Sequence, residues 1–357
     1  MMYFVQPASL IMAAEASGNS QGSAEAGKTA IVSNAGTNAA NNATPVGSTG
    51  DIKTLSPSTE SLVGASAGEL KLGVSASDSD YIWIPVEPGV NSSDIVLENH
   101  YMDRQLWVAI YSGNPEYYEE NTVTGNLSRI ISAEAVDDDN RLILKFMMDR
   151  VYEYDTIFEN GVLYIKPQFP KEAYDRIVVI DPAGYVPDEM KVENSMTPAA
   201  ICLDIARRLA SQLEEMGIRV YMTSVDERVA SDKDSLMLAS NVKPDMHIRI
   251  ETAYNEDSMV YGTSTVYNGN YFIPGFGSVE LADLMEAYVT TSIGGKAEGL
   301  IPATENDGVI NGSTVPAATI RVGYYTNAQE NVLLNREDYR TKIADGLRDA
   351  VMEAYGE

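Results

Sequence analysis

The sequence predicts an α/β fold, a mixed, mainly parallel sheet flanked by helices, preceded by a small all-β domain and a disordered N-terminal segment. Three observations carry this. Residues 177–180, Ile-Val-Val-Ile, form a continuous β-branched run that stops at Asp181-Pro182, the pattern of a strand covered on both faces. Downstream, Ile201, Ile205, Leu209 and Leu213 recur at every fourth place, which makes one apolar face of a long helix. Upstream, residues 72–170 break into short runs rich in Ile, Val, Tyr and Trp with turn signals between them.

Length and charge bound the function. With 357 residues and 44% hydrophobic content the chain can bury two modest cores. Its 52 acidic against 25 basic residues leave a formal charge of −27. That balance argues against nucleic acid or anionic lipid as a partner, because phosphate binding needs clustered Lys and Arg. Cys202 is the single cysteine, so no intrachain disulfide is possible. Set among Ala200, Ile201 and Leu203, it reads as a small buried residue rather than a nucleophile.

Residues 1–16 hold an apolar run and end in Ala14-Glu15-Ala16, a small-x-small pattern, and read as the remnant of an export signal or anchor. Residues 17–71 are rich in Ser, Gly, Ala, Asn and Thr and hold no aromatic residue. Such a composition buries too little apolar surface to offset its chain entropy, so it is expected to be a flexible linker.

Residues 72–170 are expected to form the all-β domain, with strands near 81–86, 95–98, 105–111, 127–136, 141–147, 151–158 and 162–166. Asp137-Asp138-Asp139-Asn140 and Glu159-Asn160-Gly161 supply hairpin turns. Trp83, Trp107, Tyr101, Tyr111, Tyr117, Tyr118, Tyr152 and Tyr154 give this domain aromatic surface that could stack on sugar rings, although alternation buries every second side chain of a strand. Tyr117 and Tyr118, in a polar loop, are the candidate binding residues. His100 has no second His or Cys nearby and reads as no metal ligand.

Residues 173–357 form the α/β domain. Thr197-Pro198 opens its first long helix, with Thr197 as N-cap and Pro198 at the first helical position. Asp181-Pro182-Ala183-Gly184-Tyr185-Val186-Pro187-Asp188 follows the first strand. Pro244-Asp245-Met246-His247-Ile248-Arg249-Ile250-Glu251-Thr252-Ala253 makes a later one, and Val315-Pro316-Ala317-Ala318-Thr319-Ile320-Arg321-Val322-Gly323-Tyr324-Tyr325-Thr326-Asn327 another. These stretches resemble, without a gap, the zinc-dependent N-acetylmuramoyl-L-alanine amidases of peptidoglycan. That family reads Asp-Pro-Gly-His-Gly-Gly-x-Asp, Ala-Asp-Leu-Phe-Ile-Ser-Ile-His-Ala-Asn and Val-Pro-Ala-x-Leu-Val-Glu-x-Gly-Phe-x-Ser-Asn at the same places. The preceding β domain is similar in order, length and position to AMIN-type modules.

The resemblance implies where the chemistry would lie. Amide hydrolysis of this kind uses a zinc ion held by His, Glu and His, an open position for water, and a general base. The first ligand position is Gly184; the second falls at Pro198 by helix register, or Thr197 with a slip of one, whereas Glu193 needs a slip of several. The third is Glu251, and the base position is Arg321. His247 lies four places before Glu251, roughly 13 Å along a strand at about 3.3 Å per residue, and reads as an ordinary histidine. Glu251 and Arg321 are expected to pair in the metal's space, with Arg249 as a second partner.

Three readings compete. The first, which the missing ligands favour, is a catalytically inactive amidase-fold protein without zinc, extracellular or wall-associated, that binds peptidoglycan or wall glycan, or other wall proteins, and regulates wall turnover. The second is an active amidase with a relocated site built from Asp181, Asp188, Glu189 and Glu251. The third is a structural wall tether.

Overall fold

A computed structural model describes residues 52–55, 66–76, 78–138 and 141–357. The expected export signal, 1–16, residues 17–51 and 56–65 of the expected linker, and Asp139 and Asn140 of the expected first hairpin turn lie outside the described residues. The first domain contains β1 (Lys53–Leu55), β2 (Ser66–Glu69), β3 (Leu72–Ser75), β4 (Ile82–Pro85), β5 (Ile95–His100), β6 (Gln105–Tyr111), the short helix α1 (Tyr117–Glu120), β7 (Val123–Gly125), β8 (Ile130–Asp138), β9 (Arg141–Met148), β10 (Glu153–Glu159) and β11 (Val162–Gln168). They form a six-stranded sheet, β1-β5-β6-β9-β8-β2, and a five-stranded one, β10-β11-β4-β7-β3. Alternation supplies the core between them: Leu97, Leu106, Val108, Leu144 and Phe146 from one sheet meet Ile82, Ile84, Leu163 and Ile165 from the other.

Strands enter this domain before residue 72, which corrects the start read from composition. β1 pairs in parallel with β5, and β2 antiparallel with β8. Both add to sheet edges through their backbones while other strands supply the core, so their side chains carry little signal. At the other end, Asn160 (φ 52°) and Gly161 (φ 72°) make the tight β10–β11 turn, with Glu159 opposite Val162.

A short helix, α2 (Pro170–Ala173), leads into the second domain: β12 (Ile177–Pro182), α3 (Pro198–Glu215), β13 (Arg219–Met222), α4 (Asp232–Val242), β14 (Met246–Ala253), β15 (Thr263–Tyr267), α5 (Ser278–Ile293), β16 (Ala297–Pro302), α6 (Gly308–Gly312), β17 (Ala317–Tyr324), α7 (Ala328–Leu334) and α8 (Glu337–Tyr355). The sheet order is β13-β12-β14-β17-β15-β16, with β15 antiparallel to β17 and the other pairings parallel. One face, with Val178, Ile180, Ile248, Ile250 and Ile320, packs on α3, α5 and α8. Thr197 caps α3 by accepting from Ala200 N at 3.0 Å, and Pro198 is its first residue.

The opposite face meets α4 and the β domain. Tyr101 is buried with Val151, Ile177, Val179, Tyr221 and Leu238. Its hydroxyl donates to Met222 O at 3.1 Å and accepts from Met222 N at 3.0 Å. Glu153 accepts from Arg219 Nε at 2.9 Å and from the Tyr221 hydroxyl. The two domains are therefore joined by a buried polar contact, and both belong to one compact unit.

Of the two candidate binding residues, Tyr118 is corrected, because its ring is covered, while Tyr117 stays half-buried. They lie on α1, where Tyr118 is buried in the sandwich core and donates to Pro85 O at 2.9 Å, while Tyr117 packs partly against the same core. A helical turn between strands carries the Tyr118 ring inward, which the polar flanks of the loop conceal. His100 stacks on Trp107 with ring centroids 3.9 Å apart and contacts Glu98 at 2.9 Å.

Candidate functional site

β12, β14 and β17 run side by side in parallel, so their carboxyl ends share one edge, where open α/β sheets place their sites. The register sets Asp181 opposite Arg249 and Glu251 opposite Arg321. Along β14, Met246, Ile248 and Ile250 turn to the helix-covered core while His247, Arg249 and Glu251 turn to the other face.

Glu251 does pair with arginine, but Arg249 rather than Arg321 is the close partner. Arg249 Nε donates to Glu251 Oε1 at 2.8 Å, whereas Arg321 Nε stands 3.8 Å from Oε2. Arg249 Nη1 also donates to Asp181 Oδ2 at 2.7 Å and lies 3.5 Å from Asp232 Oδ1. Arg321 reaches Asp307 at 3.8 Å. Burial works against the charge of Arg249, but Asp181 and Glu251 outweigh it and hold the guanidinium above its ordinary pKa.

Asp181 has no exposed surface and accepts from Thr223 Oγ1 at 2.6 Å and Ser235 Oγ at 3.1 Å besides Arg249. Ser235 Oγ in turn lies 3.2 Å from His247 Nε2. With its one hydrogen given to the carboxylate, this hydroxyl accepts from Nε2–H, and Nδ1 of the buried ring is left without a partner. Burial lowers His247 to a pKa of about 4. A polar cleft of about 30 Å³, room for roughly one water, opens beside the network among Asp232, Arg249, Glu251, Asp307 and Thr319.

At the first two expected ligand positions the chain closes on itself. Gly184 is buried, and a Cβ built on it would lie 2.0 Å from the Pro198 carbonyl oxygen and 2.2 Å from its carbon. The loop after β12 thus touches the backbone at the start of α3. Cys202, one turn further along α3, is buried, and burial pushes its thiol pKa up.

These residues do not fit a zinc ion. Gly184 has no donor and no room for one, Pro198 has no side-chain donor, and Glu251 is flanked by two guanidinium groups. The relocated set is not assembled either: Asp188 and Glu189 are exposed, and Asp188 pairs with Lys191 at 2.6 Å, while Asp181 is saturated by its own donors. Among the described residues, no group of three or more His, Cys, Asp or Glu side chains is placed to hold a metal ion. Thr223, Ser235, Asp232 and Asp307 were missed from sequence. The usable signal was the alternation in β14, where His, Arg and Glu take every second place of an otherwise apolar strand.

The fold and the edge define an α/β domain whose candidate site lies at the ends of parallel strands. Residues 178–353 match the family profile described as N-acetylmuramoyl-L-alanine amidase, and this domain belongs to that family. The chain is 23% identical over 178 residues to the N-acetylmuramoyl-L-alanine amidase LytC of Bacillus subtilis (strain 168), covering 50% of this chain and 35% of LytC. It is 23% identical over 206 residues to CwlM of Mycobacterium tuberculosis, covering 54% and 48%. The match thus spans less than half the length of either relative. A solved structure, the catalytic domain of the amidase CwlV from Bacillus (Paenibacillus) polymyxa var. colistinus, aligns with a TM-score of 0.46 and 26% identity over 51% of this chain and 98% of that one.

Proposed function

We propose that this protein is a cell-envelope component that binds peptidoglycan without cleaving it, its amidase-fold domain serving as a binding or regulatory module and its β-sandwich as a wall-holding module. One observation carries the inactive reading: Gly184, where the first zinc ligand would stand, is closed by the Pro198 backbone at 2.0 Å from any added Cβ. The guanidinium groups around Glu251 support it, because a cation beside the remaining carboxylate repels another. The wall reading rests on the family of residues 178–353 and on the amidases the chain resembles. A place outside the membrane follows from that reading. Among the described residues, no helix is long and apolar enough to cross a membrane.

The test is sedimentation of the purified chain with isolated cell walls, followed by analysis of the supernatant for released stem peptide. Co-sedimentation without release is the expected result. Release of peptide with a free amino-terminal alanine would defeat the inactive reading, and failure to sediment would defeat the wall-binding one.

A further inference from the structure

Besides the exposed Tyr111 and the half-buried Tyr117, two groups stand out among the tyrosines and tryptophans of the β-sandwich. Trp107, Tyr101, Tyr118, Tyr152 and Tyr154 are buried. Tyr81, Trp83 and Tyr164 are not fully covered, and they gather on the outer face of the five-stranded sheet. Trp83 stands opposite Tyr164 in register, and Tyr164 stands opposite Ile157 on its other side. The ring centroids lie 6.1 Å apart for Trp83–Tyr164 and 6.3 Å for Tyr81–Tyr164. With Thr124 opposite Trp83, the row Ile157, Tyr164, Trp83, Thr124 crosses four strands, roughly 14 Å at about 4.8 Å per strand.

An antiparallel sheet with one face on its core ordinarily turns polar residues outward. Here Ile157, Tyr164 and Trp83 make most of the outward row apolar or aromatic, and Pro85 opposite Val162 extends it by one step. The indole is also held in place from beneath. Gly125 has φ 82°, and a Cβ there would lie 3.1 Å from the Trp83 ring and 2.3 Å from the Tyr81 carbonyl oxygen. Glycine lets the ring lie against β7 while 37% of Trp83 remains exposed.

Charge narrows the occupant. Lys166, a cation beside the row, pairs with Asp80 at 3.5 Å and stands opposite Asp155. A locally balanced face on a chain of charge −27 repels a polyanion and offers nothing to hold one. What fits is uncharged where it meets the rings, with flat C–H faces and hydroxyl groups at its rim. A pyranose chain has that chemistry, its apolar ring faces stacking on aromatics while its hydroxyls stay in water.

We propose that Trp83, Tyr164 and Tyr81 form a binding face for an uncharged amino-sugar strand, the glycan rather than the peptide of the wall polymer. This rests on the wall-binding reading above and assigns it to one face. The test uses the full chain, isolated cell walls and a soluble β-1,4-linked N-acetylglucosamine oligomer. The chain has two tryptophans, so a Trp107→Phe variant reports Trp83 emission alone. The oligomer is expected to shift that emission, and Trp83→Ala and Tyr164→Ala to weaken oligomer and wall binding about tenfold. Trp83→Phe, which keeps a ring, should retain most of the binding, and unchanged urea midpoints would separate lost binding from lost folding. Parent-like wall binding by both alanine variants, with no emission response, overturns the assignment and leaves the wall-binding reading intact. A parent that binds neither probe overturns both. Self-association of the parent that Trp83→Ala abolishes would give the face to a second copy of the chain and overturn the glycan assignment.

Discussion

Arg249 Nη1 lies 2.7 Å from Oδ2 of Asp181, a carboxylate with no exposed surface, and the same guanidinium holds Glu251 through Nε at 2.8 Å. One side chain on β14 thus ties the end of β12 to its own strand where the resembled enzymes would hold a metal. Arg321, although opposite Glu251 in register, stays 3.8 Å away and about a third exposed. Arg249→Met should therefore strand a buried charge and cost about 3–5 kcal/mol. Arg321→Ala should cost about 0–1 kcal/mol, as for an exposed pair. Urea unfolding of the two variants checks this, and equal losses would contradict the assignment of Arg249 as the main partner.

Gly184 and Pro198 give a second test. Gly184→Ala drives a methyl into the Pro198 carbonyl, so the loop or the start of α3 must move. A loss of about 1–3 kcal/mol in urea is expected, as for other over-packed sites. Gly184→His should fold no better and gain no zinc. A fully stable Gly184→His variant would mean that the loop gives way freely.

Stability should also depend on pH through His247. Burial lowers its pKa from 6.5 to about 4, so between those values the unfolded chain binds a proton that the folded chain refuses. Stability from this residue is intact above pH 6.5 and is lost as pH falls toward 4, by up to about 1.4 kcal/mol per pH unit. His247→Gln should flatten the urea midpoint between pH 7 and pH 5. The same slope in parent and variant would place the titration elsewhere.

The contact between domains makes its own prediction. Glu153 and Arg219 pair at 2.9 Å with about a tenth of each side chain exposed. Glu153→Gln removes the anion closest to Arg219 and should cost on the order of 3 kcal/mol. Calorimetry should show one transition for the parent and two partly separated ones for the variant. A single unshifted transition in both would mean that the contact contributes little.

Much of the second domain was legible because its signals are local. The apolar run of β12, the Thr197-Pro198 helix start and the four-residue spacing of α3 each depend on a few neighbouring residues. The site was legible only in its frame. That Arg249 outranks Arg321 depends on side-chain reach across strands, and Ser235 and Thr223 come to Asp181 from distant parts of the chain. In the first domain, polarity misplaced Tyr118, since the burial of a short helix depends on the sheets it lies against. Strands β1 and β2 were missed for the related reason that edge pairing is made by backbone.

In the reading proposed above, contacts of Arg249 with Asp181 and Glu251 and of Gly184 with Pro198 stand in the place of a metal. The most direct test of that reading is metal analysis of the protein purified without chelator, with peptidoglycan hydrolysis assayed on the same sample before and after added zinc. The account predicts far less than one zinc per chain and no cleavage at the muramoyl–alanine bond in either state. Near-equimolar zinc with chelator-sensitive hydrolysis would contradict it.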